Sequence, residues 1–506
     1  MKLFRLKDGN YTNQKFNGRT LPLVAVALAC FAFPQNAQAV VPPPDGGYPG
    51  SNTAEGQGAL LSLTSGTLNT AIGASSLRDV TDGGLNTGVG GATLYFNTAN
   101  ENTATGAGAL FLNTTGSANT ANGAFALLSN TTGSANTAIG DRALLSNTEG
   151  EANVATGWSA LYSNTTGVGN TANGYRALDQ NTTGNGNTAN GLNALFSNTT
   201  GFDNTAVGAG ALSDNITGSR NTAIGSGALL GGQYLGDQNT AIGNNALGSL
   251  DFGIGTTAVG ADAMSNSITS EGNTAIGVRA LQNTRTFGPF GINNTGVGAD
   301  TLVNNTLGYS NIALGYLAGN NVTDAANVIC IGAAGENVGN TCYIANIYGQ
   351  VSSRGTAVFV NSDGKLGTLS SSRRFKEDIK SMDTTSEALF SLEPVIFRYK
   401  QDIDPDRRRQ FGLVAEDVEK VNPDLVVRDK DGKPYSVRYE QVNAMLLNEF
   451  LKEHRKNEEQ QATIAQLKKE METVAARLKE DDSRIQAVSA RIEVSKAVEQ
   501  TALNNP

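Results

Sequence analysis

Apolar and small residues recur with a fixed period through most of the chain. The motif Asn-Thr-Ala-Ile-Gly, or a close variant of it, begins at Asn69 and returns at steps of nearly always 17 residues as far as Asn311. Gly follows each start after four residues and Leu nearly always after eight, as at Gly140 and Leu144. This unit has too few apolar positions for a leucine-rich repeat and is too short and glycine-rich for a helical repeat. The pattern predicts a β-roll or β-solenoid over residues 69–350.

The repeat also predicts how each turn of this solenoid is built. A short strand around Thr-Ala-Ile is followed by a turn at Gly, where φ can be positive, and by a second short strand around Ala-Leu. A polar Asn-Thr-Thr-Gly loop then returns the chain to the next turn. Stacked asparagines are expected to form ladders of hydrogen bonds between turns. At a strand spacing of about 4.8 Å, some fifteen turns give a rod roughly 70 Å long.

The predicted core of the rod is thin. Each turn offers one Leu, and the position of Ile is taken by polar residues at Thr105, Asn122, Asn173 and Asn190. A single chain that buries so little apolar surface is marginally stable. Association of several rods, most simply three around one axis, is therefore expected, which makes a homotrimer the predicted assembly.

The pattern changes after residue 350. Residues 351–370 predict a β-hairpin junction, and residues 371–455 mix short strands and helices, as expected of a small α+β domain. Residues 456–506 predict a coiled coil. Its apolar residues alternate three and four apart, interrupted only at Asp481: Ile464, Leu467, Met471, Val474, Leu478, Ile485, Val488 and Ile492. Because the chain has no second long heptad segment, parallel self-association is favoured over pairing within one chain.

The first 39 residues predict an export signal. Basic residues precede an apolar run from Leu21 to Phe33, and Ala37-Gln38-Ala39 is a small-x-small cleavage site. The apolar run is too short to span a membrane, so no stable membrane insertion is expected. We predict cleavage after Ala39 and a secreted protein, extracellular or on the cell surface; a lipoprotein attached at Cys30 is the alternative. Residues 40–68 are then a linker and the start of the rod.

Composition excludes several classes of function. A net charge of −9 and a pI near 4.9 argue against nucleic acid as the main partner. Three cysteines and one histidine, His454, leave too few ligands for a metal site of the Cys/His type, and no cofactor is expected. Cys330 and Cys342 form either a disulfide or two buried thiols in repeat strands. The rod has no pair of acids typical of a glycosidase, and its ligand, a host or surface glycan for instance, is not identifiable from the sequence.

One pair of residues at the junction suggests chemistry. Ser371 stands five residues before Lys376, and a helix is predicted from about Arg373, with Ser371 or Ser372 as its N-cap. Inside one helix, a separation of five residues turns two side chains about 140° apart. A Ser-Lys dyad therefore requires Ser371 to lie just outside the helix. The alternative is that Ser371 only caps the helix and Lys376 is solvated.

Residues around this pair resemble a known family. The chain from about Leu369 to Leu478 is similar to the intramolecular chaperone auto-processing domain, which ends phage endosialidases and tail spikes and also occurs in the myelin regulatory factor. Four ordered blocks carry the likeness: Ser371-Ser372-Arg373-Arg374-Phe375-Lys376-Glu377-Asp378-Ile379, Leu392-Glu393-Pro394-Val395-Ile396-Phe397-Arg398-Tyr399, Gly412-Leu413-Val414-Ala415-Glu416-Asp417-Val418 and Val437-Arg438-Tyr439. The repeats, from about Asn69 to Gly315, resemble the heads of trimeric autotransporter adhesins.

The resemblance implies a function. In the family the domain trimerises, guides the folding of the β-rich fibre ahead of it, and cuts the chain once beside its serine. By position, Ser371 is the implied nucleophile and Lys376 the general base of an autocatalytic serine endopeptidase, with the Ser370-Ser371 bond as the cleavage site. The family usually has Asp where this chain has Ser372, which bears on the efficiency of cleavage. The competing hypothesis is a structural or adhesive surface fibre whose trimerisation domain does not cleave.

The general base has one further requirement. A lysine side chain in water has a pKa of about 10.4 and is protonated at neutral pH. Desolvation of an ammonium group, or a neighbouring positive charge, favours loss of its proton. We therefore expect the trimer to desolvate Lys376 or to bring Arg373 or Arg374 close to it, so that the lysine can take the proton of Ser371.

Overall fold

The computed structural model describes residues 48–232, 236–285, 288–350, 352–353, 355–361 and 363–502. The chain divides into two compact units, Met1–Gln350 and Val351–Pro506. The predicted signal peptide, its cleavage site after Ala39 and Cys30 lie outside the described residues. The prediction of a mostly β protein with a long solenoid is confirmed.

The first unit is a parallel β-solenoid of about 17 turns. Each strand pairs in parallel with the equivalent strand of the next turn, so that Ala138 lies opposite Ala155. Eighteen strands form the main sheet, and β13 and β15 pair separately. The strands are β1 (Thr53–Glu55), β2 (Thr70–Ile72), β3 (Thr87–Val89), β4 (Thr103–Thr105), β5 (Thr120–Asn122), β6 (Thr137–Ile139), β7 (Val154–Thr156), β8 (Thr171–Asn173), β9 (Thr188–Asn190), β10 (Thr205–Val207), β11 (Thr222–Ile224), β12 (Thr240–Ile242), β13 (Phe252–Ile254), β14 (Thr257–Val259), β15 (Thr269–Glu271), β16 (Thr274–Ile276), β17 (Thr295–Val297), β18 (Ile312–Leu314), β19 (Ile329–Ile331) and β20 (Cys342–Ile344).

The core of the solenoid is as thin as the repeat predicts. In a typical turn the middle residue of the strand, Ala138, is buried together with Ala143 and Leu144 of the following segment. Side chains alternate along a strand, so Thr137 and Ile139 point away from this core. Each turn thus gives one large side chain and two methyl groups to the main core, and it leaves the Ile of its motif at the surface. A second, smaller cluster buries Phe111, Leu128 and Leu145.

The prediction of a second strand around Ala-Leu is wrong. The chain turns through this segment, because Leu144 has a φ of 52° and Arg142 a φ of 59°. These left-handed residues curl the backbone and exclude an extended strand. The segment still pairs with the next turn, since the N–H of Leu144 donates to the carbonyl of Ala160 at 2.9 Å.

The invariant glycine of the repeat is required by backbone shape and by space. Gly140 has a φ of 133°, and a Cβ atom on it would lie 2.5 Å from the carbonyl oxygen of Gly157 in the next turn. A side chain is therefore both strained and blocked here. The turns stack closely only because this position lacks one.

Asparagine ladders complete the core, as predicted. In the first ladder, Asn136 Oδ1 accepts from the backbone N–H and from Nδ2 of Asn153, at 3.0 and 3.1 Å. In the second, Asn147 Nδ2 donates to Asn130 Oδ1 at 2.8 Å and to the Gly150 carbonyl. These buried amides satisfy one another from turn to turn, so hydrogen bonds hold the interior where apolar contacts are few.

The two cysteines match neither alternative. Cys330 is buried and Cys342 is exposed, and both are free thiols. In the register of β19 and β20, Cys330 lies opposite Tyr343 and Cys342 opposite Ile329. One cysteine occupies the middle of its strand and the other the first position, so their side chains point to opposite faces of the sheet. Cβ atoms that point apart do not form a disulfide without backbone movement.

The second unit contains small sheets and one long helix. Three antiparallel pairs are formed by β21 (Phe359–Val360) with β22 (Leu366–Gly367), β23 (Val395–Phe397) with β24 (Gln410–Gly412), and β25 (Val426–Arg428) with β26 (Pro434–Val437). The first pair is the predicted junction hairpin. The helices are 3₁₀ helices at Arg373–Phe375, Asp383–Ser391 and Pro423–Leu425, and α-helices α1 (Ala415–Val421) and α2 (Tyr439–Ala502).

The core of this unit is small, and the heptad residues do not belong to it. Its centre is formed by Val418, Leu425, Val426, Val437 and Met445. The predicted seam of α2, from Ile464 to Ile492, is exposed along its whole length. The coiled coil and the trimer remain predictions, because the structure is of one chain. None of the helices in the described ranges is long and apolar enough to cross a membrane.

Candidate functional site

Ser371 and Lys376 meet in the structure. The ammonium Nζ of Lys376 donates a hydrogen bond to Ser371 Oγ at 3.0 Å, and both side chains are exposed. This distance is within the range in which a base can take a proton from a hydroxyl group. The structure therefore brings together the two residues that the sequence singles out.

The short helix between them explains this geometry. Ser372 is the N-cap of the 3₁₀ helix Arg373–Phe375, and its Oγ accepts from the backbone N–H of Arg374 at 3.4 Å. Lys376 follows the helix with extended backbone, at φ −127° and ψ 136°. Three residues of 3₁₀ helix rise by about 6 Å, which the long lysine side chain spans when it folds back. The predicted helix is thus a single turn, and Ser371 lies outside it, as a dyad requires.

The three consecutive serines have different partners. Ser370 Oγ accepts from the backbone N–H of Ser372 at 3.3 Å, and Ser372 Oγ also accepts from Arg374 Nε. Only the hydroxyl of Ser371 contacts Lys376. The sequence left open whether Ser371 or Ser372 caps the helix; the geometry assigns the cap to Ser372 and leaves Ser371 available for chemistry.

The surface around the pair is basic and apolar. Arg373, Arg374 and Phe375 are exposed, and the Arg374 guanidinium lies over the Phe375 ring, 5.3 Å from its centroid. Ile379 is also exposed. The two arginines thus lie close to Lys376 in the chain, and the apolar side chains of Phe375 and Ile379 are left at the surface.

A buried polar network holds the next helix of this unit in place. Ser386, in the 3₁₀ helix Asp383–Ser391, is completely buried, and its hydroxyl donates to the Glu449 carboxylate of α2. Asn448 Nδ2 donates to Ser386 Oγ at 2.7 Å, and Lys452 Nζ donates to Glu449 Oε1 at 2.7 Å. Hydrogen bonds from Lys452 and Ser386 lower the pKa of Glu449 from its usual value of 4.5.

This network is not predictable from the sequence, because Ser386 and Glu449 are 63 residues apart and belong to no repeat. Only the spacing of Glu449 and Lys452, one helical turn apart, indicates that these two can pair. Elsewhere, the described part of the chain contains no group of three or more His, Cys, Asp or Glu side chains that could hold a metal ion.

Comparison with known proteins relates the segment that begins at Ser371 to a known family. Residues 371–427 match the model of the peptidase family S74, described as chaperone of endosialidase. The match begins at Ser371 and ends within β25. Neither a curated protein nor a solved structure matches the chain. A β-solenoid followed by residues that match the endosialidase chaperone family supports a fibre protein with a C-terminal chaperone domain.

Proposed function

We propose that this protein is a secreted homotrimeric fibre whose C-terminal domain assembles the rod and then cuts its own chain beside Ser371. The observation that carries the proposal is the 3.0 Å contact between Lys376 Nζ and Ser371 Oγ at the first residue of the family match. The family gives peptidase activity in general, and this contact supplies a nucleophile and a base for it.

The reaction needs only groups that the chain already holds. Neutral Lys376 takes the proton of Ser371, and the oxygen attacks the carbonyl carbon of Ser370. The bond from that carbon to the Ser371 nitrogen breaks, and the nitrogen leaves as an amine with the proton from Lys376. Water then hydrolyses the ester between Ser370 and the Ser371 oxygen. Because nucleophile and peptide bond are neighbours, proximity replaces substrate binding, and each chain reacts once.

Assembly into a trimer would desolvate Lys376, as its proposed role as the base requires. In the single chain Lys376 is exposed to water. Burial against two further copies would desolvate it and favour the neutral amine. Cleavage is therefore coupled to trimerisation, so that a chain separates from its chaperone only after assembly.

Exposed apolar surface supports the trimer. The seam of α2 is unpaired along Ile464–Ile492, and a heptad seam buries its side chains only against other helices. On the β23–β24 pair, Ile396 and Phe411 lie opposite each other and are both exposed. Soluble monomers rarely expose contiguous apolar patches of this kind.

Gel mobility of the full-length chain tests the proposal. Cleavage of wild type yields a C-terminal fragment of 136 residues, Ser371 to Pro506, and Ser371→Ala or Lys376→Ala abolishes it. Lys380→Ala is the matched control for the lysine, and it is expected to cleave. Wild type that stays at full length while sedimentation shows a trimer would refute self-cleavage, and a monomer would refute the assembly.

A second candidate is a fibre whose chaperone trimerises without cleaving. Ser372 favours it, because the resembling family usually has Asp at this position. Ser372→Asp separates the two, since Asp is an equally good N-cap and leaves the short helix intact. An uncleaved wild type beside a cleaved Ser372→Asp variant would establish this second candidate; comparable cleavage of both supports the first.

Secretion is the remaining part of the proposal. The basic residues, the apolar run and the Ala37-Gln38-Ala39 site of the sequence support it. The mature protein is expected to begin at Val40. Sequencing the N-terminus of the exported protein tests this, and a chain that retains its first 39 residues contradicts it.

A further inference from the structure

The outer face of the main sheet is free of charge over almost its whole length. Two residues of each strand point outward from the core, the first and the third. From Thr70 in β2 to Ile344 in β20, every one of these residues in the eighteen-stranded sheet is uncharged. The charged side chains of the rod, such as Arg142 and Asp141, lie in the turns instead. Depletion of charge marks the core of protein–protein interfaces.

From β4 onward, after Ile72 in β2 and Val89 in β3, the third position divides this face into two segments. In the polar segment, β4 to β9, Thr or Asn occupies five strands of six: Thr105, Asn122, Thr156, Asn173 and Asn190. In the apolar segment, β10 to β20, all nine strands of the main sheet carry an aliphatic side chain: Val207, Ile224, Ile242, Val259, Ile276, Val297, Leu314, Ile331 and Ile344. In β18 and β19 the first position is also aliphatic, so apolar character is greatest at the C-terminal end.

The apolar segment is continuous and accessible. Its strands pair in register, so that Ile224, Ile242 and Val259 follow one another directly. Ile224 is 39% exposed, Leu314 47% and Ile344 43%. At about 4.8 Å per strand, the nine side chains form a strip about 40 Å long. A contiguous apolar strip of this length marks an interaction site on a soluble protein.

We propose that this strip is the surface along which copies of this chain zip together, starting at the C-terminal end of the rod; the proposal rests on the trimer of the proposed function. A parallel copy presents the same side chains with the same period, so that every turn meets its counterparts around one axis. A different partner would need to reproduce the 17-residue step. The strip ends at Ile344, shortly before the domain whose helix seam also lacks a partner, so both surfaces are buried by the same association.

The two segments then have different roles. Rods brought together by the C-terminal domain bury the apolar segment first, because this segment is the nearer of the two to that domain in the chain and gains most from the loss of water contact. The polar segment joins last. Its Thr and Asn side chains hydrogen-bond to water as well as to each other, so this part of the trimer is held less tightly.

Site-specific crosslinking tests the position of the interface. In a chain with Cys330→Ala and Cys342→Ala, Ile276→Cys places a thiol in the apolar segment, and Asn266→Cys is the control in a turn between strands. A short bismaleimide is expected to link the Ile276→Cys chains into dimers on a denaturing gel and to leave the control unlinked. Equal yields in a protein that sediments as a trimer overturn the interface alone; a monomer overturns the trimer with it.

Charge insertion tests the direction of assembly. Ile276→Asp puts three like charges into the apolar segment, and Asn173→Asp puts the same charges into the polar segment. We expect Ile276→Asp to make the rod sensitive to protease at least tenfold faster than wild type, and Asn173→Asp to change this rate less than twofold. Equal acceleration by the two variants contradicts the division of the face.

Discussion

At the scale of single residues, the chemistry depends on how three consecutive serines divide their roles. Ser372 caps the short helix, Ser370 accepts from the backbone of Ser372, and Ser371 contacts Lys376. The cap keeps Ser371, the proposed nucleophile, outside the helix, and one helical turn places Lys376, the proposed base, within hydrogen-bond distance of it. A five-residue spacing that would separate the side chains in an α-helix therefore becomes a contact.

Replacing Lys376 by arginine distinguishes the effect of its positive charge from its proposed ability to accept a proton. Lys376→Arg keeps the positive charge and a long side chain, but a guanidinium does not lose its proton at any accessible pH. We predict that this variant assembles as a trimer and yields no fragment, whereas Lys380→Arg cleaves normally. A gel time course with sedimentation measures both; cleavage of Lys376→Arg at the wild-type rate would exclude Lys376 as the base.

The repeat glycine gives a second prediction at this scale. Gly140→Ala forces a Cβ atom to 2.5 Å from the Gly157 carbonyl at a φ of 133°, while Gly169, at a φ of 69°, has no atom within 4 Å of its Cβ position. The left-handed backbone alone costs Ala about 1 kcal/mol, and the clash adds about 1–3 kcal/mol. Gly140→Ala should therefore lower the midpoint of denaturant unfolding clearly more than Gly169→Ala. Equal midpoints would show that the turns can separate at little cost.

At the scale of elements, the long helix α2 carries the predicted coiled-coil seam. Its seam lies on one face and is exposed in the single chain. Leu467→Asp buries three charges at the centre of the expected coiled coil and should shift the sedimenting species from trimer to monomer. Lys469→Asp, two residues away and off the seam, should not. A trimer that survives Leu467→Asp would mean that the helix does not mediate assembly.

The network between Ser386 and α2 makes this packing sensitive to acid. The pKa of Glu449 in the folded protein is lowered by Lys452 and Ser386, so the unfolded chain binds the proton more tightly. The stabilisation of the folded protein by the Glu449 carboxylate is complete above pH 4.5. It is lost as the pH falls through the lower pKa that Glu449 has in the folded protein. We predict that Glu449→Gln flattens the dependence of unfolding on pH below 4.5, measured by circular dichroism. An unchanged profile would contradict this assignment.

At this scale, the sequence predicts well the features that recur in every turn of the solenoid. The period identifies the strands, the buried asparagines and the glycine, because each has the same environment in every turn. It does not distinguish a strand from a curled segment at Ala-Leu, since both repeat equally; the positive φ of Leu144 becomes visible only in three dimensions. Contacts made once, such as Ser386 with Glu449, have no pattern to reveal them. The Ser371–Lys376 pair was predictable because the family motif surrounds it.

At the scale of the whole molecule, the solenoid and the C-terminal unit have complementary features. The solenoid buries few large side chains per turn and carries a face that is almost free of charge, so association with further copies would stabilise it. The C-terminal unit carries the helix that would bring those copies together, and Ser371 lies on the chain between them. Under the proposed function, a cut there would separate the assembled rod from the domain that assembles it, and the rod would not reassemble after unfolding.

This irreversibility is itself a prediction. Ser371→Ala rods remain joined to the chaperone and should recover trimeric structure after dilution from denaturant. Cleaved wild-type rods, separated from their C-terminal fragment, should not. Refolding yield measured by sedimentation distinguishes the two, and equal recovery would mean that the rod assembles unaided.

The mass of the C-terminal fragment tests the central claim most directly. Intact-mass spectrometry of the purified wild-type protein should give a fragment that begins at Ser371 and ends at Pro506, and this species should be absent from Lys376→Arg. A trimer composed only of uncut chains, or a fragment with a different first residue, would contradict self-cleavage by Ser371 and Lys376.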